Sequence, residues 1–292
     1  MKSIRKFSLL SALLLSAVSV FAQDEPKSPW THSAIAGLNV SQTSLINWSE
    51  GGTGSLASNV YFNGSLDYTK DKLTWNTALD ANLGATKTFE EGSDFRKSMD
   101  NLQLSTKLGY TMAGKFYYAA LADFKTQFAN GFEYDPKRKV SYFMTPGYLN
   151  LSLGVDYKPS EHLSMYLSPV AGKMVCVSDT LYSENFGIKA GSNTKWELGA
   201  TFKGTVDYKF CNDKLTLKST LDLFTPYNDT FGNIDVDWKF MAGYSVVKFL
   251  TITLQTNLKY DDDIPYIASD GTKSGPRVQF KEILGLGVSV QF

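Results

Sequence analysis

A few residues in this chain of 292 have types and spacings that could do chemistry. Asp261-Asp262-Asp263, with Asp270 close by, offers the oxygen ligands that a hard cation such as Ca2+ takes. The plainer reading is a solvated acidic loop, so no metal is expected. His32 and His162, the only two histidines, are the side chains best suited to general base work near neutral pH. No Gly-x-Ser-x-Gly nucleophile elbow accompanies them. Cys176 and Cys211 are the only thiols, too few for a disulfide-stapled domain. Gly52-Thr53-Gly54 and Gly271-Thr272-Lys273-Ser274 lack the strand-to-helix setting of a phosphate-binding loop. No catalytic residue and no cofactor is expected.

The elements that would position these residues follow from hydropathy. Lys2, Arg5 and Lys6 precede an apolar stretch from Phe7 to Phe21, and Val20-Phe21-Ala22 carries small residues where a signal peptidase reads. Residues 1–22 are therefore read as a signal peptide, cleaved after Ala22. Beyond it no apolar run reaches the ~18 residues that a membrane-spanning helix needs, which excludes a helical transporter. The 29 basic and 29 acidic residues are balanced, and without clustered Lys and Arg no nucleic-acid partner is expected.

The strongest periodicity is two. From Leu56 to Tyr68 the even positions are mostly apolar, while Asn59, Asn63, Ser65 and Asp67 line the other side. After a polar turn at Lys70-Asp71, the run from Leu73 to Leu83 repeats the pattern. Similar pairs occupy 99–112 with 115–128, 147–158 with 162–175, 195–209 with 214–225 and 233–247 with 249–260. Single runs at 33–43 and 278–292 bracket them. The spacing predicts twelve strands, longer than the ~5–6 residues usual in soluble sandwiches and long enough for the ~9–11 that cross a bilayer at a tilt. The fold class expected is all-β, a single transmembrane up-and-down antiparallel barrel. After the signal peptide come a periplasmic segment, 23–32, and the barrel, 33–292. Short connections alternate with long ones, which places the short turns and both termini in the periplasm and the long loops outside.

Tyr68, Tyr110, Tyr157, Tyr208 and Tyr244 each precede a short turn on the apolar face. An amphipathic ring at one depth is what a lipid–water boundary favours, so these five form the expected membrane-interface girdle. Leu284, Leu286, Val288, Val290 and Phe292 alternate to an aromatic last residue. That ending resembles the signal by which barrel-assembly machinery recognises outer-membrane strands, and Phe292 joins the girdle candidates. Outer-membrane lipid and lipopolysaccharide are the other expected partners.

Asn47-Trp48-Ser49-Glu50-Gly51-Gly52-Thr53-Gly54-Ser55, after Leu38-Asn39-Val40-Ser41-Gln42, is the most informative polar segment. It resembles the opening motif of an uncharacterised Bacteroidota outer-membrane family, domain of unknown function 3078, over the whole mature chain in outline. The resemblance implies a barrel in the outer membrane of a Gram-negative cell, with no reaction and no ligand attached. Independently, the glycines let the loop fold tightly, and Trp48 seeks cover from water. Asn47, Trp48, Glu50, Gly51 and Gly52 are therefore candidates for a loop at the barrel mouth or in the lumen. A structural turn with Trp48 in an outer girdle is the alternative.

By alternation nine acids face inward, among them Asp123, Asp156, Glu197, Asp207, Asp222 and Asp237. So do seven bases, among them Lys107, Lys125, Lys203, Lys218, Lys239 and Lys259. The interleaving, with Asp123 beside Lys125 and Asp207 near Lys203, suits internal ion pairs more than a selective ring, and any selectivity should be slightly cationic. Twelve strands lie between the ~8 that side chains fill and the ~16–18 that leave an aqueous channel. The expected function is a narrow, porin-like channel or a small-ligand binding and transport barrel of unknown substrate, not an enzyme. A lipid-modifying hydrolase and a structural or adhesive surface barrel are the alternatives. Against the hydrolase, His32 should precede the first strand and His162 should sit in a short turn, both away from the outer leaflet.

Overall fold

The computed structural model describes residues 28–43, 54–89, 93–134, 137–228, 231–247, 249–267 and 272–291. In chain order the strands are β1 (Trp30–Thr43), β2 (Ser55–Lys70), β3 (Leu73–Thr88), β4 (Arg96–Ala113), β5 (Phe116–Thr126), β6 (Gly131–Tyr134), β7 (Lys137–Ser141), β8 (Gly147–Ser160), β9 (Leu163–Cys176), β10 (Thr194–Phe210), β11 (Leu215–Pro226), β12 (Asp235–Val247), β13 (Leu250–Tyr260), β14 (Tyr266–Ile267), β15 (Lys273–Ser274) and β16 (Gln279–Gln291).

Twelve of them close into an antiparallel barrel, each beside its sequence neighbour, and β1 meets β16 to complete the ring. The remaining four form two small hairpins, β6–β7 and β14–β15, within the long connections. These match the twelve runs of alternating hydropathy to within a few residues. β1 starts three residues before the expected boundary at residue 33, so His32 lies inside the strand, opposite Leu66 on β2. Alternation is weak there, because Thr31 and Ser33 flank His32 in a polar stretch that only the pairing with β2 marks as strand.

Side chains are distributed inside out relative to a soluble barrel. Val60, Leu153, Leu167 and Leu198 are 58% to 72% exposed on the outer face. Asp123, Asp156, Lys173 and Glu197 are buried within. Period-two sequences place one set on each face of a strand, and an apolar exterior around a polar interior is the arrangement that a hydrocarbon surrounding selects.

Two local devices shape the cylinder. The turn after β2 places Asp71 at φ 52°, and the turn after β10 places Cys211, Asn212 and Asp213 at φ 56°, 56° and 64°, a region that Asn and Asp tolerate better than most. The second device is a bulge in β9. Leu167 pairs with Val155 but Val170 pairs with Leu153, so β9 carries one extra residue there. Pro169 lies inside it, where its missing N–H costs no ladder bond. Ser168 is fully buried; its hydroxyl donates to the Leu153 carbonyl at 2.6 Å and accepts from the Val170 amide at 3.1 Å.

Candidate functional site: the charged lumen

The bulge decides which side chains reach the lumen. Below it the even residues Ser164, Tyr166 and Ser168 point inward; above it the odd residues do, and Ala171, Lys173 and Val175 are buried. Unbroken alternation along β9 puts Lys173 outside, and for that reason the sequence reading missed it. Among the described residues Lys173 is the cation with the most carboxylate partners: its Nζ lies 2.7 Å from Asp235, 3.0 Å from Asp261 and 4.0 Å from Glu197. Beside it Lys195 meets Glu197 at 3.1 Å and Asp263 at 2.6 Å.

Further contacts cross the lumen. Lys125 on β5 meets Asp237 on β12 at 3.0 Å, and Asp237 also has Lys259 at 3.6 Å. Lys203 bridges Asp222 at 3.0 Å and Asp123 at 3.9 Å. Lys239 on β12 donates to the side-chain carbonyl of Gln103 on β4. Lys107 reaches over β5 to Asp156 on β8 at 2.6 Å, and Asp156 also accepts from Ser164. The two juxtapositions expected from the sequence are replaced. Asp123 is held by Ser105, Gln103 and Lys203 rather than by Lys125, and Asp207 pairs with Lys218 at 2.9 Å rather than with Lys203. The reason is geometric: directly opposed residues on neighbouring strands approach to ~5 Å, closer than Lys203 and Asp207, which stand four residues apart along β10, and Ser105 is directly opposed to Asp123. Lys218 is directly opposed to Asp207.

The ion pairs sit largely on β5 and β8–β13, whereas β1–β4 add amides, Asn39, Asn59, Asn63, Asn82 and Asn101, alongside Asp67, Asp80, Lys97, Asp100 and Lys107. Asn59 is 7% exposed and, among the described residues, neither end of its carboxamide has a hydrogen-bond partner.

Toward the long-loop end lies a cavity of about 920 Å3. Asn101, Gln103, Lys203, Asp222 and Asp237 lie at its inner end, and Tyr148, Phe186, Tyr260, Arg277 and Val278 line it farther out. Its outer side is narrowed by the connection after β9. Asp179 caps a short 3-10 segment, Thr180–Phe186, by accepting from the Leu181 amide, and Gly187 closes it at φ 71°. Val175, Val177, Tyr182 and Ile188 form a small apolar core there, with Tyr142, Tyr148 and Phe186 packed against it.

The candidate residues fall as follows. Asn47, Trp48, Glu50, Gly51, Gly52 and Phe292 lie outside the described residues. Tyr68, Tyr110, Tyr157, Tyr208 and Tyr244 share the outward face at the short-turn end. Tyr68 lies 4.8 Å from Trp30, ring to ring, Tyr157 stacks on Phe116 at 4.6 Å, and Tyr208 stacks between His162 and Phe210. Asp261, Asp262 and Asp263 do not converge on one point: the first and third are taken by Lys173 and Lys195, and the second accepts from Tyr260 at 3.0 Å and Asn233 at 2.5 Å. Cys176 and Cys211 are both free thiols. His162 sits at the short-turn end with Nδ1 2.9 Å from the Asp207 carbonyl.

A family model described as "Protein of unknown function (DUF3078)" matches residues 40–132. The match runs from the long-loop end of β1 into β6 and does not cover the chain as a whole. No curated protein matches the chain. Among solved structures the barrel is similar to an outer membrane channel from Pseudomonas putida F1, at 12% identity and TM-score 0.40, over 94% of this chain and 100% of that one. It is also similar to the translocator domain of the autotransporter NalP from Neisseria meningitidis, at 11% identity and TM-score 0.38, over 100% and 98%. A third is the toluene transporter TodX of P. putida, at 12% and 0.31, over 91% and 90%.

Proposed function

We propose that the chain is an integral outer-membrane barrel of a Gram-negative, Bacteroidota-type envelope that admits small solutes into a narrow, ion-paired lumen and binds or passes them. The observation that carries this reading is the set of cross-lumen ion pairs, Lys125–Asp237 above all, spanning a closed cylinder with an apolar exterior and a cavity of about 920 Å3. That volume falls within the ~300–1,000 Å3 of small-molecule sites. Deep in the lumen the pairs leave little free charge of either sign, which favours neutral or zwitterionic solutes over a simple ion flux.

In this reading the tyrosines form the periplasmic girdle, both termini are periplasmic, and loop residues Asn47, Trp48, Glu50, Gly51 and Gly52 stand at the outer mouth. Lipopolysaccharide surrounds the outer rim, and the terminal strand addresses the chain to barrel-assembly machinery. The reading includes no catalytic role: His32 and His162 both sit at the short-turn end, away from the outer leaflet where a lipid hydrolase would act. Purified protein in planar bilayers should give small conductance steps, and liposomes carrying it should swell in small neutral solutes faster than empty ones. A silent bilayer together with no solute flux removes transport.

A further inference from the structure

The ring is closed unevenly. Among the described residues β1 and β16 pair over five positions, from Ile35↔Gln291 to Asn39↔Gly287, whereas the neighbouring ladders between barrel strands run over ten to sixteen. Neither strand ends at the fifth rung. Val40–Thr43 continue as strand against β2, and Ile283–Leu286 continue against β13. The two edges that would face each other, Val40–Thr43 and Ile283–Leu286, carry no ladder. Counting ~9–11 residues per crossing from Trp30 at the short-turn end, β1 reaches the far membrane boundary near Asn39 and Val40. The ladder therefore stops near the outer-leaflet boundary, the depth at which unpaired backbone groups can still meet water and headgroups.

Each side of the gap has its own chemistry. Outside, Leu38, Val40, Leu284 and Leu286 are exposed and apolar. Inside, the cavity wall runs up to Arg277, Val278 and Gln279, where the chain enters β16. Lys281 lies on the inward face of β16 beside the free edge and is exposed. Arg277 rests its guanidinium 4.0 Å over the Tyr266 ring. Among the described residues neither Lys281 nor Arg277 has an acid partner, in contrast to the paired lysines deeper in the lumen.

We propose that the parted outer end of the β1–β16 seam is a lateral portal between the cavity and the outer leaflet, used by a single-chain anionic amphiphile whose carboxylate or phosphate head meets Lys281 and Arg277 while its tail stays in contact with Leu284 and Leu286. The proposal rests on the reading of the barrel as a membrane protein but not on its conducting solutes. It differs from passage along the axis because the ligand enters or leaves sideways.

The test uses Ser41→Cys with Gly285→Cys, the positions that would face each other if the ladder continued, in a Cys176→Ser, Cys211→Ser background. One folded sample in lipid gives both arms, reduced or closed by oxidation or a short dithiol-reactive linker, and retains a heat-modifiable gel shift in each. A dodecanoate bearing a diazirine on its tail is the probe, with a dodecanol analogue as the neutral counterpart. Expected results are that dodecanoate labels Phe224 and Val278 inside the cavity in the reduced protein, that closure abolishes this labelling, and that reduction restores it. A lock between Ser65→Cys and Ala78→Cys, directly paired on β2 and β3, should leave labelling unchanged. Lys281→Gln with Arg277→Gln should weaken labelling by dodecanoate and not by dodecanol. Interior labelling that is indifferent to the lock, or labelling confined to outward residues, overturns the portal. Conductance recorded on the same samples separates the readings: lock-sensitive labelling in a silent barrel keeps the portal and removes the channel, and a conducting barrel with lock-insensitive labelling does the reverse.

Discussion

Lys125 and Asp237 meet at 3.0 Å from strands with four others between them on the shorter way round the ring. A contact of that span cannot form on a sheet that stays flat; it exists because the sheet has curled until opposite walls are within one side chain's reach. Asp237 additionally holds Lys259 at 3.6 Å and accepts from Asn257 at 2.7 Å. A single carboxylate thus balances two ammonium groups in the middle of the lumen.

Asp237→Asn should leave Lys125 and Lys259 without that balance. Removing one partner of a fully buried pair costs about 3–5 kcal/mol, and these positions, 18% and 27% exposed, should lose less. The sharper readout is selectivity: under a KCl gradient the reversal potential should move toward chloride. An unchanged potential would mean that current does not follow this path.

Lys173→Gln should act in the opposite sense. Asp235, Asp261 and Glu197 would share a site with no cation between them apart from Lys195 beside Glu197, so the potential should move toward potassium. Lys173→Arg should retain most of the wild-type value, since it keeps the charge.

Gly154→Ala should destabilise the barrel where Gly172→Ala does not. A methyl at Gly154 would sit 2.2 Å from the Leu167 carbonyl oxygen and 2.7 Å from the Ser168 Cα, in the bulge, and backbone cannot step aside there. At Gly172 the nearest atom is 3.8 Å away. Overpacking of this kind costs about 1–3 kcal/mol, and it should appear as a lower temperature for the heat-modifiable gel shift in the first variant only.

The β6–β7 hairpin is tied back by Lys137 to Asp94 at 2.6 Å, both in water. The hydrogen bond from Lys137, reinforced by its charge, holds the Asp94 carboxyl below its ordinary range, and the same carboxylate raises the Lys137 ammonium. The depressed acid contributes above the ordinary Asp pKa and is lost as pH falls through its folded value. The raised base contributes below the ordinary Lys pKa and is lost as pH rises through its folded value. The contact should therefore be constant from about pH 5 to pH 9, weaken in acid, and weaken with salt because it is exposed. Amide exchange in Glu133–Ser141, corrected for its intrinsic pH dependence, reads it; faster exchange between pH 5 and 8 would refute the assignment.

Most of the architecture was legible because one face of each strand is apolar over ten or more residues, and that pattern survives without knowledge of any partner. Leu73 to Leu83, for instance, names its own faces. Lys173 was not legible, since a single extra residue at Pro169 inverts every assignment above it and nothing in the hydropathy of β9 marks the step. Partners such as Lys125 and Asp237 were hidden for another reason: the sequence lists inward charges, but curvature decides which of them face each other. The short β1–β16 ladder was likewise invisible, because Val40–Thr43 and Ile283–Leu286 alternate as well as any paired stretch.

The apolar cluster of Val175, at the end of β9, with Val177, Tyr182 and Ile188 of the connection that follows, sits over the mouth. It excludes water in the ordinary way of a soluble domain, while the cylinder beneath it is solvated by acyl chains. Cooling weakens the first kind of cohesion and has no comparable hold on backbone ladders in lipid, so chilling should slacken the cap before the staves.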